Sequence, residues 1–375
     1  MAIATVPDAR LQAFYERVDK ECLHPLWLNE NLDAPSRDVR PWMWPWRILR
    51  SSMLEACEVM PLGGDEGAER RVLSMRNPSL RGPGPMRTLT AACQLVKPGE
   101  EAPSHRHTMA ALRFIIEGEG GWTVVQGEPL SMEPGDFLLT PSWTWHGHMH
   151  EGTQNMLWLD VLDVPLVRSL DLQFYEEYSQ PRSLQQPEQP RDDSLRRYGT
   201  GSLLPTWMPR APKPYSPLFS YKFGPTREAL YRLTDTDPSP YEGYALTFVN
   251  PFTGGPVMPT IGASMHLLTS GQRTKAHRDT ANRIFHVAEG RGSSILDGQR
   301  FEWERGDTFC VPTWCWQEHA AASEDALLFE ANDLPVLESL ALYYNVTSED
   351  NDGHQQVTST FAGTLPASNG AGNGH

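Results

Sequence analysis

The spacing of apolar positions changes along the chain and divides it into stretches of different character. In "DARLQAFYERVDKECL" the residues Leu11, Phe14, Tyr15 and Val18 recur at i, i+3, i+4 and i+7, which predicts an amphipathic helix. "WRILRSSMLEACEVM" predicts a second helix, with Pro41 and Pro45 breaking the segment between them. From Arg71 the pattern becomes that of strands. Short runs rich in Val, Ile, Thr, Phe and Trp, such as "LTAACQLVKPGE", "LRFIIEGEG" and "GWTVVQGEPLSMEPGDFLLTPSW", alternate with Gly and Pro turns at sandwich or barrel spacing. Residues 166–257 are mixed and Pro-rich, a connection with some helix. A second strand block covers 258–347. The tail, 348–375, is polar and rich in Gly, Ser and Asn, which predicts a segment that is disordered or loosely draped.

The two strand blocks are one unit written twice. "EGEGGWTVVQGEPLSMEPGDFLLTPSWTWHGH" matches "EGRGSSILDGQRFEWERGDTFCVPTWCWQEH" through E-G-x-G, a glycine hairpin and G-D-x-x-x-x-P-x-W-x-W. Counting back thirteen residues from Gly118 and from Gly290 reaches His105 and His277. Repetition on this scale predicts a duplicated domain. The expected organisation is mainly β: a helical arm over 1–70, strand domains over 71–165 and 258–347, the connection over 166–257, and the tail.

Composition narrows the classes. A chain of 375 residues with 21% charged and 10% aromatic residues is globular and long enough for a large core. The formal net charge of −15, with no basic patch, argues against nucleic acid as a partner. No apolar run has membrane-spanning length, and the N-terminus lacks the pattern of a signal peptide. The five cysteines are scattered without a C-x-x-C, as expected of reduced thiols in a cytoplasmic protein. Cys310 and Cys315 lack a second pair and are not read as a metal site.

The chemistry gathers around "PSHRHTMAALRF". Residues i and i+2 of a strand share a face, so His105 and His107 project together and a third nitrogen is needed to close a site. "TPSWTWHGHMH" offers His146, His148 and His150 on one face. The patterns G-x5-H-x-H, from Gly99 to His107, and G-x5-P-x-W-x-x-H, from Gly135 to His146, resemble the two motifs of the cupin superfamily. That resemblance implies a bicupin of two jelly-roll barrels, with His105, His107 and His146 as metal ligands. His150 is expected to face solvent. Where many cupins add a glutamate, this chain has Ala111 and Leu112, so three neutral imidazoles stand without a carboxylate. Nitrogen ligands suit Fe, Cu, Ni or Zn over Mg or Ca, and a three-histidine face leaves about three positions open on an octahedral ion. The uncompensated dication favours an anionic bidentate ligand of the salicylate type. The second copy carries His277, Asp279 and Gln317 at the matching positions, a poorer ligand set. It is read as structural, with His266, His286 and His319 as packing or surface residues.

The stretches "ERRVLSMRNPSLRG", "CQLVKPGEEAPSHRHTMAALRFIIEGEG", "GDFLLTPSWTWHGHM" and "WLDVLDVP" resemble the gentisate/salicylate 1,2-dioxygenase family, which includes 1-hydroxy-2-naphthoate dioxygenase. The resemblance implies a homotetrameric Fe(II) enzyme acting on a small aromatic hydroxy acid and O2. It would cleave the ring between the carboxyl-bearing and hydroxyl-bearing carbons to give an open-chain 2-oxo dicarboxylate. Carried over residue by residue, Arg113 meets the substrate carboxylate, with a salt bridge to a protein carboxylate as the alternative. His148 bonds the substrate hydroxyl or an oxygen species and moves a proton. Arg70, Gln94 and Asp160 match substrate-pocket positions, and ordinary structural roles stay open for all three. Two departures bear on the substrate. The chain has His146-Gly147-His148 where gentisate enzymes commonly have H-D-H, and Thr90, Ala91 and Ala92 where the family usually has Trp or Tyr followed by Ala-Gly. Thr90 and Ala92 are expected to reshape the pocket for a ring with a bulkier 5-substituent, such as 5-nitrosalicylate. Salicylate, gentisate and 1-hydroxy-2-naphthoate stay open, and a non-catalytic bicupin binding protein is the rival of another class.

Overall fold

Asp8 caps the first helix, α1 (Ala9–Lys20), by accepting from the backbone N–H of Arg10 at 3.0 Å. Phe14 of this helix stacks with Trp27 at a centroid distance of 6.3 Å. These residues belong to a compact unit, Met1–Ser36, distinct from the unit Arg37–His375. The computed structural model describes residues 8–29, 35–62, 67–82, 84–179, 184–201, 203–207 and 213–363. The part of the expected disordered or draped tail beyond 363 lies outside them.

The second unit opens with β1 (Trp42–Trp44), α2 (Trp46–Val59) and β2 (Val72–Ser74). The first barrel follows as β3 (Thr90–Val96), β4 (Glu101–His107), β5 (Ala111–Glu117), β6 (Gly121–Val125), β7 (Glu128–Met132), β8 (Phe137–Thr140), β9 (His146–His150) and β10 (Met156–Leu162). The connection holds α3 (Val164–Ser169), β11 (Tyr175–Glu177), α4 (Asp193–Tyr198), β12 (Ser220–Tyr221), α5 (Phe223–Leu233) and β13 (Tyr244–Thr247). The second barrel consists of β14 (Gly262–Leu268), β15 (His277–Asp279), β16 (Arg283–Glu289), β17 (Arg291–Leu296), β18 (Gln299–Glu304), β19 (Thr308–Val311), β20 (Gln317–Ala321) and β21 (Ala326–Asn332). The chain continues with α6 (Leu334–Ser339), β22 (Asn345–Thr347) and β23 (Ser359–Thr360).

Each barrel is a pair of facing sheets. In the first, β12-β8-β5-β10-β3-β2 faces β11-β4-β9-β6-β7; in the second, β1-β19-β16-β21-β14-β13 faces β22-β15-β20-β17-β18-β23. The central strands β5, β10, β14 and β21 are buried along nearly their whole length. Their inner faces line a barrel, and their outer faces meet those of the other barrel. Phe114 stacks on Phe329 at 4.5 Å, and Phe137 lies 5.5 Å from the same ring. Burial on both faces explains why these strands read as continuous apolar runs instead of alternating ones.

The duplication reaches further than the strand repeat. The leaders β1-α2-β2 and β12-α5-β13 correspond, and each exchanges its first strand with the other barrel. β1 pairs with β19 of the second barrel, and β12 pairs with β8 of the first. The N–H of Trp46 donates to Asp307 at 2.7 Å, and that of Phe223 donates to Asp136 at 3.1 Å. Gly306 and Gly135, both at positive φ, leave room for the Trp46 and Phe223 rings, which would lie 2.5 and 2.3 Å from an added Cβ. The helical arm expected over 1–70 therefore contributes a strand to the distant barrel, and residues 166–257 supply edge strands to both. The tail is laid on the second barrel as far as residue 363. β23 runs parallel to β18, and Phe361 stacks on Phe301 at 4.6 Å, which gives this polar segment an apolar anchor.

Candidate active site

β4 and β9 pair antiparallel with His105 opposite His146, and β9 pairs with β6 so that Val125 faces His146 and Thr123 faces His148. Residues directly opposite share a face, so His105, His107, His146 and His148 all point into the first barrel. His105, His107 and His146 are buried, and each offers a ring nitrogen within 4.8 Å of the others. Their ring centroids stand 4.6 to 5.3 Å apart.

The outer nitrogen of each ring has a partner. His107 Nδ1 lies 2.8 Å from the Met109 carbonyl and His146 Nδ1 lies 2.9 Å from the Thr144 carbonyl. A carbonyl only accepts, so both rings carry their proton on Nδ1 and keep Nε2 as the lone-pair nitrogen. His105 Nδ1 lies 2.8 Å from Glu69 Oε1 and 3.0 Å from the Tyr175 hydroxyl. Burial pushes His105 and His107 down to about 4, and His146 well below the ordinary value. All three are thus neutral near pH 7, as metal ligation requires. Glu69 is held at about 2, chiefly by its hydrogen bond with His105. Buried, neutral, fixed in tautomer and clustered, these residues fit a borderline transition-metal ion.

The opposite wall comes from β3, β10 and β5. Cross-strand pairing forms three rows: Gln94 with Trp158, Ala92 with Asp160 and Arg113, and Thr90 with Leu162 and Ala111. Arg113 is buried, with Nε 3.0 Å from Asp160 Oδ1 in an ion pair lacking hydrogen-bond alignment. Its Nη1 donates to Thr140 Oγ1 at 2.5 Å. Asp160 accepts from Trp158 Nε1 at 2.9 Å, and the Trp158 and His148 rings lie 4.9 Å apart. Burial raises the Asp160 carboxyl and lowers Arg113, and each opposes the other's shift. Arg70 is lowered to about 10 by burial and then by the charge of Arg113. It donates to the Pro103 carbonyl at 2.6 Å.

Several polar atoms around the cavity are buried without a hydrogen-bond partner among the described residues: Arg70 Nη1, Gln94 Nε2, Arg113 Nε, Asp160 Oδ1 and both His148 nitrogens. Each such group costs about 1–3 kcal/mol when left unsatisfied. A concentration of them beside a three-imidazole cluster marks a polar ligand's seat. The salt bridge considered for Arg113 exists, yet it leaves Arg113 Nε without an aligned acceptor. Asp160 is a mid-strand buried residue, not a loop cap. Thr90 is half-buried and donates to the Leu162 carbonyl at 3.2 Å.

One sequence expectation fails here. His150 is buried and not in solvent, because the turn after β9 folds over it. Its Nε2 meets the Gln154 carbonyl, and Nδ1 accepts from the Gly152 N–H at 3.2 Å. Two site neighbours had escaped the sequence reading as functional residues, Glu69 and Tyr175. The only available hint was that Glu69 opens "ERRV".

In the second barrel, His277 and Gln317 face each other as His105 and His146 do. The three-residue strand β15 brings Asp279 where β4 brings His107, and Asp279 is bound by Arg283 Nη1 at 2.5 Å. Gln317 Oε1 lies 3.4 Å from His319 Nε2. His266, His286 and His319 are all buried packing residues.

Comparison with known proteins agrees with this geometry. The Cupin domain model matches residues 93–162 and 264–331. A gentisate 1,2-dioxygenase of Aquipseudomonas alcaligenes is 37% identical over 88% of this chain and 94% of its own length. A 5-aminosalicylate 1,2-dioxygenase of a Comamonas species is 33% identical over 94% of this chain and 95% of its own. The crystal structure of salicylate 1,2-dioxygenase from Pseudoaminobacter salicylatoxidans with gentisate superposes with a TM-score of 0.85 at 33% identity, covering 93% of this chain and 97% of that one. With the fold, the duplicated barrel and these relatives in agreement, the chain belongs to the gentisate/salicylate 1,2-dioxygenase family and is a bicupin ring-cleaving dioxygenase.

Proposed function

We propose that the metal is ferrous iron held by His105, His107 and His146, and that the substrate is a salicylate carrying a 5-substituent, 5-nitrosalicylate among the candidates. The carrying observation is the juxtaposition of three neutral buried imidazoles with the unpartnered polar atoms of Arg113, Gln94 and His148. Iron in this position supplies the one-electron chemistry that lets dioxygen react with a closed-shell aromatic ring. The protein's own groups bind and orient. The Arg113 guanidinium takes the substrate carboxylate, to which its planar fork is suited, while Asp160 fixes its direction. Arg70 adds a second positive charge to the same pocket. Gln94 Nε2 donates to a substrate oxygen. His148, kept neutral by burial, accepts the proton of the substrate hydroxyl on a ring nitrogen and returns it to a product oxygen.

The small side chains at Thr90, Ala92 and Ala111 line adjacent rows of the wall and support room for a ring substituent. The relative named for 5-aminosalicylate supports the same class. The reading includes a cytoplasmic enzyme that assembles as a homotetramer. Exposed Leu170, Leu172 and Phe174 after the first barrel, and Leu340, Leu342 and Tyr344 after the second, support self-association. Among the described residues no helix is long and apolar enough to cross a membrane.

The test is anaerobic loading with ferrous salt, followed by oxygen uptake on salicylate, gentisate, 5-nitrosalicylate, 5-aminosalicylate and 1-hydroxy-2-naphthoate. One iron per chain and the highest kcat/KM on a 5-substituted salicylate are expected. A preference for unsubstituted salicylate or for gentisate by orders of magnitude overturns the substrate reading. Stoichiometric iron without oxygen uptake on any of these acids points to a binding protein.

A further inference from the structure

His105 differs from the other two clustered histidines in what holds it. His107 and His146 rest on backbone carbonyls, whereas His105 Nδ1 has three side chains within 3.3 Å: Glu69, Tyr175 and Arg70. These neighbours favour different tautomers. Glu69 only accepts, and so requires the proton on Nδ1, which leaves Nε2 with its lone pair. Arg70 only donates, and so requires a bare Nδ1, which places the proton on Nε2 and blocks ligation there. The distances favour Glu69, at 2.8 Å against 3.3 Å for Arg70 Nε and 3.2 Å for Arg70 Nη2. Arg70 Nη2 is also committed to the Pro103 carbonyl at 2.6 Å. The Tyr175 hydroxyl lies 2.7 and 2.8 Å from the two Glu69 oxygens and 3.0 Å from His105 Nδ1, so its proton goes to the carboxylate.

Tyr175 stands on β11, which pairs with β4 so that Tyr175 faces His107 and Glu177 faces His105. The connection after the first barrel thus returns to brace the carboxylate. Among the described residues, no carboxylate forms an ion pair with His277, the counterpart of His105 in the second barrel. The brace accompanies the three-imidazole cluster and is absent where that cluster is absent.

We propose that Glu69, braced by Tyr175, is a positioning residue that holds His105 in its metal-competent tautomer. It supplies from outside the ligand set the negative charge that Ala111 does not supply within it. The inference rests on the metal reading above. A carboxylate behind a ligand histidine raises the ligand's basicity, and losing such a partner typically weakens metal binding 10–100-fold.

The experiment titrates metal-free protein anaerobically with ferrous ion against a chelator of known affinity. Wild type, Glu69→Ala, Glu69→Gln and Tyr175→Phe are compared, each with its metal-free melting temperature. Glu69 is partly exposed, so its truncation opens no core cavity. Glu69→Ala should raise the iron dissociation constant about 10–100-fold with the metal-free melting temperature unchanged. Glu69→Gln keeps an acceptor oxygen without the charge and should recover part of the loss. Tyr175→Phe should cost only a few-fold. Equal iron affinity in wild type, Glu69→Ala and Glu69→Gln overturns the inference. So does an affinity loss that merely follows a lowered melting temperature and is not relieved in Glu69→Gln. A wild-type protein that takes up no iron instead removes the metal reading itself, so the two failures are distinguishable.

Discussion

Asp160 in the first barrel and Glu330 in the second occupy the same place in their sheets, opposite β3 and β14 respectively. Both are buried carboxylates beside a buried arginine, yet their surroundings differ. Glu330 takes Arg283 Nε at 3.0 Å, His266 Nε2 at 2.8 Å and Asn332 Nδ2 at 2.7 Å. Arg283 is also paired with Asp279 at 2.5 Å. His319 meets Ser294 Oγ at 2.7 Å, whereas its counterpart His148 has no hydrogen-bond partner among the described residues, because Thr123, in the place of Ser294, donates to the Gly147 carbonyl. Two residues along the same strand face decide the matter. The first barrel has Ala111 and Arg113 where the second has Arg283 and Phe285. Arg283 satisfies two carboxylates of its own barrel. Arg113 has one, and its polar neighbours stay open. Among the described residues the second barrel leaves His277 Nδ1 and Arg278 Nε without a hydrogen-bond partner, whereas the first leaves a whole group of such atoms around its imidazole cluster, and an interior with that many open polar atoms is built around something else.

The largest contrast should come from the histidines. His105→Ala or His146→Ala should abolish stoichiometric iron, while His277→Ala in the second barrel should leave one iron per chain. Metal analysis of the purified proteins checks this, and loss of iron in His277→Ala would place a second site where none is expected. Next in size are the arginines. Arg113→Met should lower kcat/KM about 10–100-fold, mainly through KM, since a hydrogen bond to a charged group is worth about 1.5–3 kcal/mol. Arg113→Met also strands Asp160 and so costs stability as well, whereas Arg283→Met, which strands Asp279 and Glu330, should act on stability alone. Breaking a buried pair from one side costs about 3–5 kcal/mol. Urea unfolding together with steady-state kinetics separates the two outcomes.

A pH experiment sharpens the contrast further. Burial pushes His286 and His319 down to about 3. The unfolded chain therefore binds these protons first, from about pH 6.5 downward. Stability from each is complete above 6.5 and falls by about 1.4 kcal/mol per pH unit toward 3. His286→Asn, which retains a polar partner for Thr308, should flatten the stability profile between pH 6.5 and 5 by about 2 kcal/mol in total. Urea midpoints across that range provide the measurement, and an unchanged slope would mean that His286 is not neutral in the folded protein.

Much of this was legible in the sequence because it is written in short local patterns. His105-x-His107 declares a shared strand face, and the run from Gly135 to His146 matches the second cupin motif, whose resemblance points to the third clustered histidine. What was hidden depends on residues far apart in the chain. The Glu69–His105–Tyr175 contact spans 106 positions, and no periodicity relates its members. The exchange of β1 and β12 rests on strands of three and two residues, too short to show alternation. The closed pairs of the second barrel require cross-strand register, which a repeat motif does not supply. His150 continued the alternation of His146 and His148, but its burial came from a local turn after the strand.

The smallest effect concerns what the barrels share. Arg106 lies over Trp143 and Trp145, each at 4.5 Å, and Arg278 lies over Trp314 and Trp316, each at 4.6 Å. In both copies the first tryptophan holds a left-handed backbone, with φ of 59° at Trp143 and 62° at Trp314. Such a conformation is unfavourable for a bulky residue and needs surrounding contacts to hold it. The clamp stands beside the three-histidine cluster in one barrel and beside no such cluster in the other, so it belongs to the fold and not to the chemistry. Arg278→Leu should therefore cost about 1 kcal/mol of stability, the scale of a partly exposed cation–π contact. Arg106→Leu should cost that amount plus the exposed pair with Glu176, worth at most about 1 kcal/mol more. Neither should change iron affinity by more than a few-fold. If Arg106→Leu releases iron at unchanged stability, the clamp in the first barrel has taken on a ligand-holding role that the second barrel's copy lacks.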